Sequence, residues 1–315
     1  MVRIQMKIHI VADKNDERTE AIKEYANYHF PKCEITISKY YYDCDLLFFH
    51  DLTCYEHNKH FLPKQCPPYI IVDISFVVMK EKNSADRRVL NRSDSPPPKK
   101  DHYFSLSWGG INGLGRYYND ECKWRPLTTT DFSIVDRDRF KERGKDILIL
   151  GQSPYDIFLI SNNVNYQDWL TKICDDIKQQ TNRKIYFRQH PKASDITATP
   201  DYVKRLNEYE PLQKHLKQAW ATVAYSSSAG IYSLMEGVPH FAESNMSACW
   251  SVCNSIEKDI GNIDNIGNLD YDSIYQFGAK ITNRCYKLKE ISKGHPKNLM
   301  KHYRKELRRS GISKP

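Results

Sequence analysis

Two short runs of polar residues carry the groups best suited to holding an anion. Arg188, Gln189, His190 and Pro191 close the apolar run that begins at Ile185. Ser226, Ser227 and Ser228 follow Ala221-Thr222-Val223-Ala224-Tyr225, and Ala229-Gly230 lead into a helical pattern. Hydroxyls and free N–H groups where a helix begins attract negative charge, because the first-turn N–H groups have no partner within the helix. With Arg188 and His190 on the neighbouring strand, Ser226 to Ser228 read as a phosphate or diphosphate cradle. The plainer reading stands beside it: Ser226 as an ordinary N-cap and His190 as a turn residue.

The elements around these runs alternate. Strands are expected at Arg3–Ala12, Glu34–Ser38, Asp45–Phe49, Tyr69–Val72 and Tyr103–Ser107, and a helix at about Asp16–His29. A second series follows: a strand at Asp146–Leu150, a helix at about Gln167–Gln180, the strand at 185, and a helix near Pro211–Trp220. The strand at 221 comes next, and Glu236-Gly237-Val238-Pro239 introduces another at His240. Strands alternating with helices or long crossovers imply parallel sheets covered on both faces. The fold class expected is α/β, with two Rossmann-like domains facing a cleft and a basic C-terminal helix. Their expected bounds are 1–142 and 143–290, with the tail at 291–315. In such sheets ligands bind beyond the carboxyl ends of the strands.

A strand ending in His-Pro, then one ending in Ser-Ser, then a helix ending in Gly-x-Pro resembles the donor half of a GT-B glycosyltransferase. The style is that of bacterial sialyltransferases, Kdo-type capsule transferases and phage-borne sugar transferases, and the likeness spans roughly residues 144 to 250. It implies that His190, Ser226 and Ser227 contact the donor phosphate, with Arg188 and Ser228 beside them. Gly151, Gln152, Pro191, Glu236 and Glu243 are then candidates for the nucleotide or sugar of the donor. Six residues separate Glu236 from Glu243, unlike the spacing of retaining GT-B enzymes, so an inverting reaction is expected. No cofactor or metal is expected at the cradle, and a UDP-sugar is favoured over a CMP-sugar.

An acceptor hydroxyl needs a base. Asp13, Asp51 and Asp73 each follow an expected strand of the first half, and Asp13 and Asp51 rank first. Acceptor contacts are expected from Trp108, Gly109, Gly110 and Asn112 in a loop with four glycines, and from Arg87 and Arg88. The latter belong to a stretch from Lys80 to Lys100 with seven Lys/Arg against three acids. Cys54, His57, His60 and Cys66 include zinc-ligand types at a spacing unlike the common fingers, so reduced thiols and surface histidines are the simpler expectation.

Charge narrows the partners. The 315-residue chain carries +8. Residues 284–315 hold eleven Lys/Arg against Glu290 and Glu306, which is +9 and leaves −1 for the rest. A local basic segment suits duplex DNA, an anionic membrane surface, or a solvated helix face. Two acceptors follow: a hydroxymethylated pyrimidine in phage-type duplex DNA, which is favoured, or a glycan or lipid acceptor at a membrane surface. A non-catalytic binder of nucleotide sugars or nucleic acid is the third reading. Hydrophobic content of 40% permits real cores. Nine cysteines at irregular spacing fit reduced thiols, and with no signal-like start the expected location is the cytoplasm.

Overall fold

The computed structural model describes residues 6–13, 15–63, 67–74, 103–108, 123–127, 132–153, 156–191, 193, 197–297 and 299–301. It forms two compact units. Described residues within 6–74, 103–127 and 280–301 make the first, and those within 132–279 make the second.

The first unit holds a six-stranded sheet. Its strands are β1 (Lys7–Val11), β2 (Glu34–Ser38), β3 (Leu46–Phe49), β4 (Tyr69–Ile74), β5 (Phe104–Trp108) and β12 (Cys285–Tyr286), in the order β12-β5-β4-β3-β1-β2. The first four are parallel to one another, with Ile8 beside Ile35 and Leu46. Ile8 and Ile10 point to the helix Glu17–His29, whose Ala21, Ile22, Tyr25 and Ala26 are buried with them in one core. Asp16 starts that helix by accepting N–H bonds from Arg18 and Thr19, and Pro31 follows its end. Leu288, Ile291, Leu299 and Met300 join the same core. The last described stretch of the chain therefore belongs to the first unit, and Tyr25 donates its hydroxyl proton to the carbonyl of Pro296.

An all-parallel first sheet does not hold. β5 runs antiparallel to β4, with Ile74 beside Phe104 and Ile70 beside Trp108, and β12 is antiparallel to β5. Asp73 does not follow a strand; it lies within β4, opposite Ser105.

The second unit is parallel throughout. Its strands are β6 (Asp146–Leu150), β7 (Ile185–Arg188), β8 (Val203–Leu206), β9 (Ala219–Ala224), β10 (His240–Ala242) and β11 (Asn254–Ser255), in the order β11-β10-β9-β6-β7-β8. The helix Tyr166–Gln180 buries Trp169, Leu170, Ile173 and Ile177 at helical spacing. Its N-cap Asn165 accepts from the N–H groups of Gln167 and Asp168. The helix expected to run to Trp220 is shorter, Leu212–Leu216, because Ala219 and Trp220 are already in β9. β8 escaped the sequence reading: as an edge strand it exposes Lys204 and Arg205 and lacks an apolar alternation to betray it.

Candidate functional site

The strand order of each sheet reverses at one point, and an open α/β sheet binds ligands there, beyond the carboxyl ends of the strands. In the second unit that point lies between β6 and β9, and Gly151-Gln152 and Tyr225-Ser226 are the residues that leave these strands. The side-chain amide of Gln152 closes the gap. Its Nε2 donates to Ser226 Oγ at 2.7 Å, and its Oε1 accepts from the Ser226 N–H at 3.0 Å. The Gln152 N–H in turn donates to the Tyr166 hydroxyl at 3.0 Å. Burial pushes the Tyr166 phenol up to about 12, so it remains protonated at neutral pH. The Ser226 hydroxyl accepts from Gln152, which leaves its own proton to be donated elsewhere.

Ser227 is buried, and its Oγ accepts from the Ala229 N–H at 3.4 Å. Ser228 is exposed and precedes the seven-residue helix Ala229–Met235 without capping it through its side chain. The serine that serves the helix end is therefore Ser227, neither the N-cap residue nor Ser226.

His190 and Pro191 follow β7, next to β6, and lie at the same edge of the sheet. Gly151 owes its identity to this neighbourhood. A Cβ on it would fall 2.8 Å from both the Arg188 carbonyl and the His190 nitrogen, so the room at Gly151 is filled by the chain itself and not by a ligand. Its N–H donates to the Arg188 carbonyl at 2.8 Å, tying the two strand ends together.

Arg188 serves another purpose than the one its position suggested. Its guanidinium donates to the main-chain carbonyls of Glu208 and Glu210 at 2.8 and 3.0 Å, clamping the turn after β8. Glu236 is also separated from the serines. It caps the far end of the Ala229–Met235 helix and precedes β10, at the opposite edge of the sheet from Ser226. There Gly237 has φ of 77° and abuts the Phe140 backbone, so the Gly-Val-Pro turn is a packing feature.

Glu243 does lie at the carboxyl edge, directly after β10, and is exposed. Asp156, which the sequence reading passed over, is a second carboxyl here. It accepts from the Phe158 N–H at 2.9 Å and lies beside the Gln152 side chain, and burial raises its pKa. The charges of Glu243 and Asp156 both act on Tyr225, the residue before Ser226. The hydroxyls of Ser226 and Ser227 and the carboxyls of Asp156 and Glu243 thus gather at one edge of the sheet, groups able to donate to an anion and to accept from hydroxyls. In sequence Asp156 reads as the N-cap of the apolar run Ile157–Ser161, which marks a helix start and gives no signal of a ligand role.

The first sheet reverses order between β1 and β3, and a polar cluster sits there too. His50 follows β3 and is buried; its Nε2 is 2.9 Å from Asp16 Oδ1 and its Nδ1 is 3.1 Å from Asp51 Oδ2. Asp51 Oδ1 accepts from the Cys54 N–H at 2.8 Å and caps the helix Leu52–Asn58. Arg18 donates to the His50 carbonyl at 2.8 Å and lies 3.7 Å from Asp51 Oδ2. Burial would raise the Asp51 pKa, but the His50 and Cys54 hydrogen bonds and the His50 and Arg18 charges hold it well below the usual carboxylate range. Asp51 is a weak base. Asp13 is exposed and 3.9 Å from Lys39 Nζ.

Trp108 does not share this edge. Because β5 is antiparallel, Trp108 ends its strand beside Ile70, at the start of the parallel strands and away from Asp13 and Asp51. Gly109, Gly110, Asn112, Arg87 and Arg88 lie outside the described residues, as do the basic stretch around them, Cys66 and the tail from residue 302.

No family model matches the sequence, and no curated protein matches it. Among solved structures, KpsC of Thermosulfurimonas dismutans, a beta Kdo 2,4 transferase, is similar at a TM-score of 0.50 and 11% identity, covering 87% of this chain and 90% of that one. A beta Kdo 2,7 transferase structure of KpsC from the same organism reaches 0.43 at 12% identity, over 92% of this chain and 98% of that one. The spinosyn forosaminyltransferase SpnP reaches 0.30 at 10% identity, over 92% and 95%. At these identities the likeness concerns the fold: two α/β units, each built on a six-stranded, largely parallel sheet, as in GT-B-like proteins.

Proposed function

We propose that the protein is a glycosyltransferase that takes a sugar from a nucleotide-sugar donor and gives it to a hydroxyl acceptor. The observation that carries this reading is the switch point between β6 and β9, where the Gln152–Ser226 bridge holds hydroxyl donors at the edge shared with His190. A departing nucleoside phosphate gains negative charge in the transition state, and donors fixed in advance stabilise it without reorganising. Ser226, Ser227 and His190 are the donor-phosphate ligands in this reading, and Asp156 and Glu243 bind hydroxyls of the donor. Arg188 is not needed for this.

On the acceptor side Asp13 is the better base. It is exposed at the carboxyl end of β1, whereas Asp51 is held ionised by its neighbours. The acceptor we favour is a carbohydrate hydroxyl, because the first similar structure acts as a Kdo transferase. Of the residues that argued for duplex DNA, the 80–100 stretch and the tail from residue 302 are outside the described part, and Leu288, Ile291, Leu299 and Met300 of the basic segment pack into the first core.

The test incubates the full chain with a panel of UDP- and CMP-sugars and two acceptor sets, oligosaccharides and hydroxymethylated duplex DNA, and reads products by mass. Transfer to an oligosaccharide is expected. Transfer to DNA alone would replace the acceptor assignment, and no saturable binding of any nucleotide sugar would overturn the donor site.

A further inference from the structure

The cluster at the switch point of the first sheet has the make-up of a metal site. Nδ1 or Nε2 of His50, a carboxylate oxygen of Asp51 and Sγ of Cys54 all lie within 4.8 Å of one another. Nitrogen, carboxylate and thiolate are the ligand types of zinc, which draws them in to about 2.0–2.3 Å.

A second observation fixes which imidazole nitrogen would serve. His50 Nε2 faces Asp16 Oδ1 at 2.9 Å, so the proton on that nitrogen is held by a carboxylate. A metal-binding histidine generally gives its other N–H to such a partner, which sets the tautomer and orients the ring. Nδ1 is then left with a lone pair, and it points at Asp51 Oδ2 from 3.1 Å. Two lone pairs at that distance repel unless a proton or a cation lies between them. A proton there would make His50 an imidazolium shared by two carboxylates; a cation would use the buried thiol of Cys54 as well.

The surroundings call for positive charge at this point. Carboxylates of Asp13, Asp16 and Asp51 gather here against Arg18 and Lys39. The Asp13 backbone hydrogen-bonds to Cys54, and the exposed Asp13 carboxylate adds its charge to the cluster. Of the zinc-type residues noted in the sequence, Cys54 and His57 are on the helix Leu52–Asn58 and His60 is in the turn after it. The structure brings Cys54 to His50 and Asp51 instead.

We propose that His50 Nδ1, Asp51 and Cys54 Sγ form a binding site for Zn²⁺, oriented by Asp16, that pins the start of the Leu52–Asn58 helix to the end of β3. Binding releases the Cys54 thiol proton to solvent and forms Zn–S, Zn–N and Zn–O bonds with no change of oxidation state. The proposal does not depend on the transfer reaction.

The test strips the full chain with a chelator and titrates it with Co²⁺, then Zn²⁺. One equivalent of Co²⁺ should bring thiolate-to-cobalt charge-transfer absorption and visible d–d bands, both abolished when Zn²⁺ displaces it. Cys54→Ala should remove the charge-transfer band. Asp16→Asn keeps a capping oxygen for the Glu17–His29 helix and should weaken binding about 10–100-fold. Zn²⁺ should raise the Tm of the wild type and leave that of Cys54→Ala unchanged. If Cys54→Ala does not fold, Cys54→Ser and Asp16→Asn are the deciding variants. Absence of Co²⁺ binding in the wild type would overturn the proposal, as would a charge-transfer band that survives loss of the Cys54 thiol.

Discussion

At the scale of single residues, the serines differ in what they hold. Ser226 is locked to Gln152 by two hydrogen bonds, whereas Ser227 has one long bond from the Ala229 N–H. Ser226→Ala would leave one N–H of the buried Gln152 amide without its acceptor, costing about 1–3 kcal/mol of stability as well as any donor contact. Ser227→Ala should leave the Tm nearly unchanged and weaken nucleotide-sugar binding by about tenfold or more, since a hydrogen bond to a charged group contributes about 1.5–3 kcal/mol. Calorimetric titration of both variants checks this; equal donor affinity for Ser227→Ala and wild type would remove Ser227 from the site. Asp13→Asn should lower kcat by about 10²–10⁴ with little change in donor affinity, as expected for loss of a general base. A larger fall in Asp51→Asn than in Asp13→Asn, with both folded, would reverse the two roles.

At the scale of elements, the strand ends of the second unit are held by very few atoms. Gly151 allows β6 to close on the Arg188–His190 backbone, so Gly151→Ala must push two strand ends apart. That variant should lower the Tm clearly and impair donor binding together, in contrast to Ser227→Ala. Asn165 caps the helix that presents Tyr166 to Gln152. Asn165→Ala should cost about 1 kcal/mol, the usual loss for a removed N-cap, read as a shift in the denaturant midpoint. These elements were legible in the sequence because their apolar positions follow period 2 or 3.6, as at Trp169, Leu170, Ile173 and Ile177. β8 and the antiparallel direction of β5 were not: an edge strand needs no apolar alternation, and strand direction leaves no mark on local sequence.

At the scale of the whole molecule, two buried histidines make stability depend on pH. His9 is fully buried, with one nitrogen 2.6 Å from Thr36 Oγ1 and the other 2.8 Å from the Tyr40 carbonyl. Burial lowers its pKa from 6.5, against the raising effect of the Tyr40 hydrogen bond. Burial likewise lowers that of His215, against a hydrogen bond to Glu210. In the unfolded chain both take up protons at their ordinary pKa, so the unfolded state binds more protons just below it. Stability is therefore complete above pH of about 6.5 and declines as the pH falls toward the lowered values. Urea unfolding at pH of about 7.5 and 5.5 should show a lower midpoint in acid, and a folded His9→Gln variant should show a smaller difference. An acid midpoint equal to the neutral one would exclude this dependence.

The sequence by itself determined the α/β fold class, the strand that leads to Ser226 and the one that leads to His190, because burial periodicity and turn residues are local properties. It also located the serine run correctly at the carboxyl edge of a sheet. Only the tertiary structure decided which side chains meet. Arg188 turned to the carbonyls of Glu208 and Glu210, Glu236 fell at the far edge, and Trp108 ended an antiparallel strand. Asp156 joined the crevice, and His50 came to lie between Asp16 and Asp51, 34 residues apart from the first of them. Contacts of that kind depend on strand order and direction, which hydrogen bonds between distant strands fix and no neighbouring residue records.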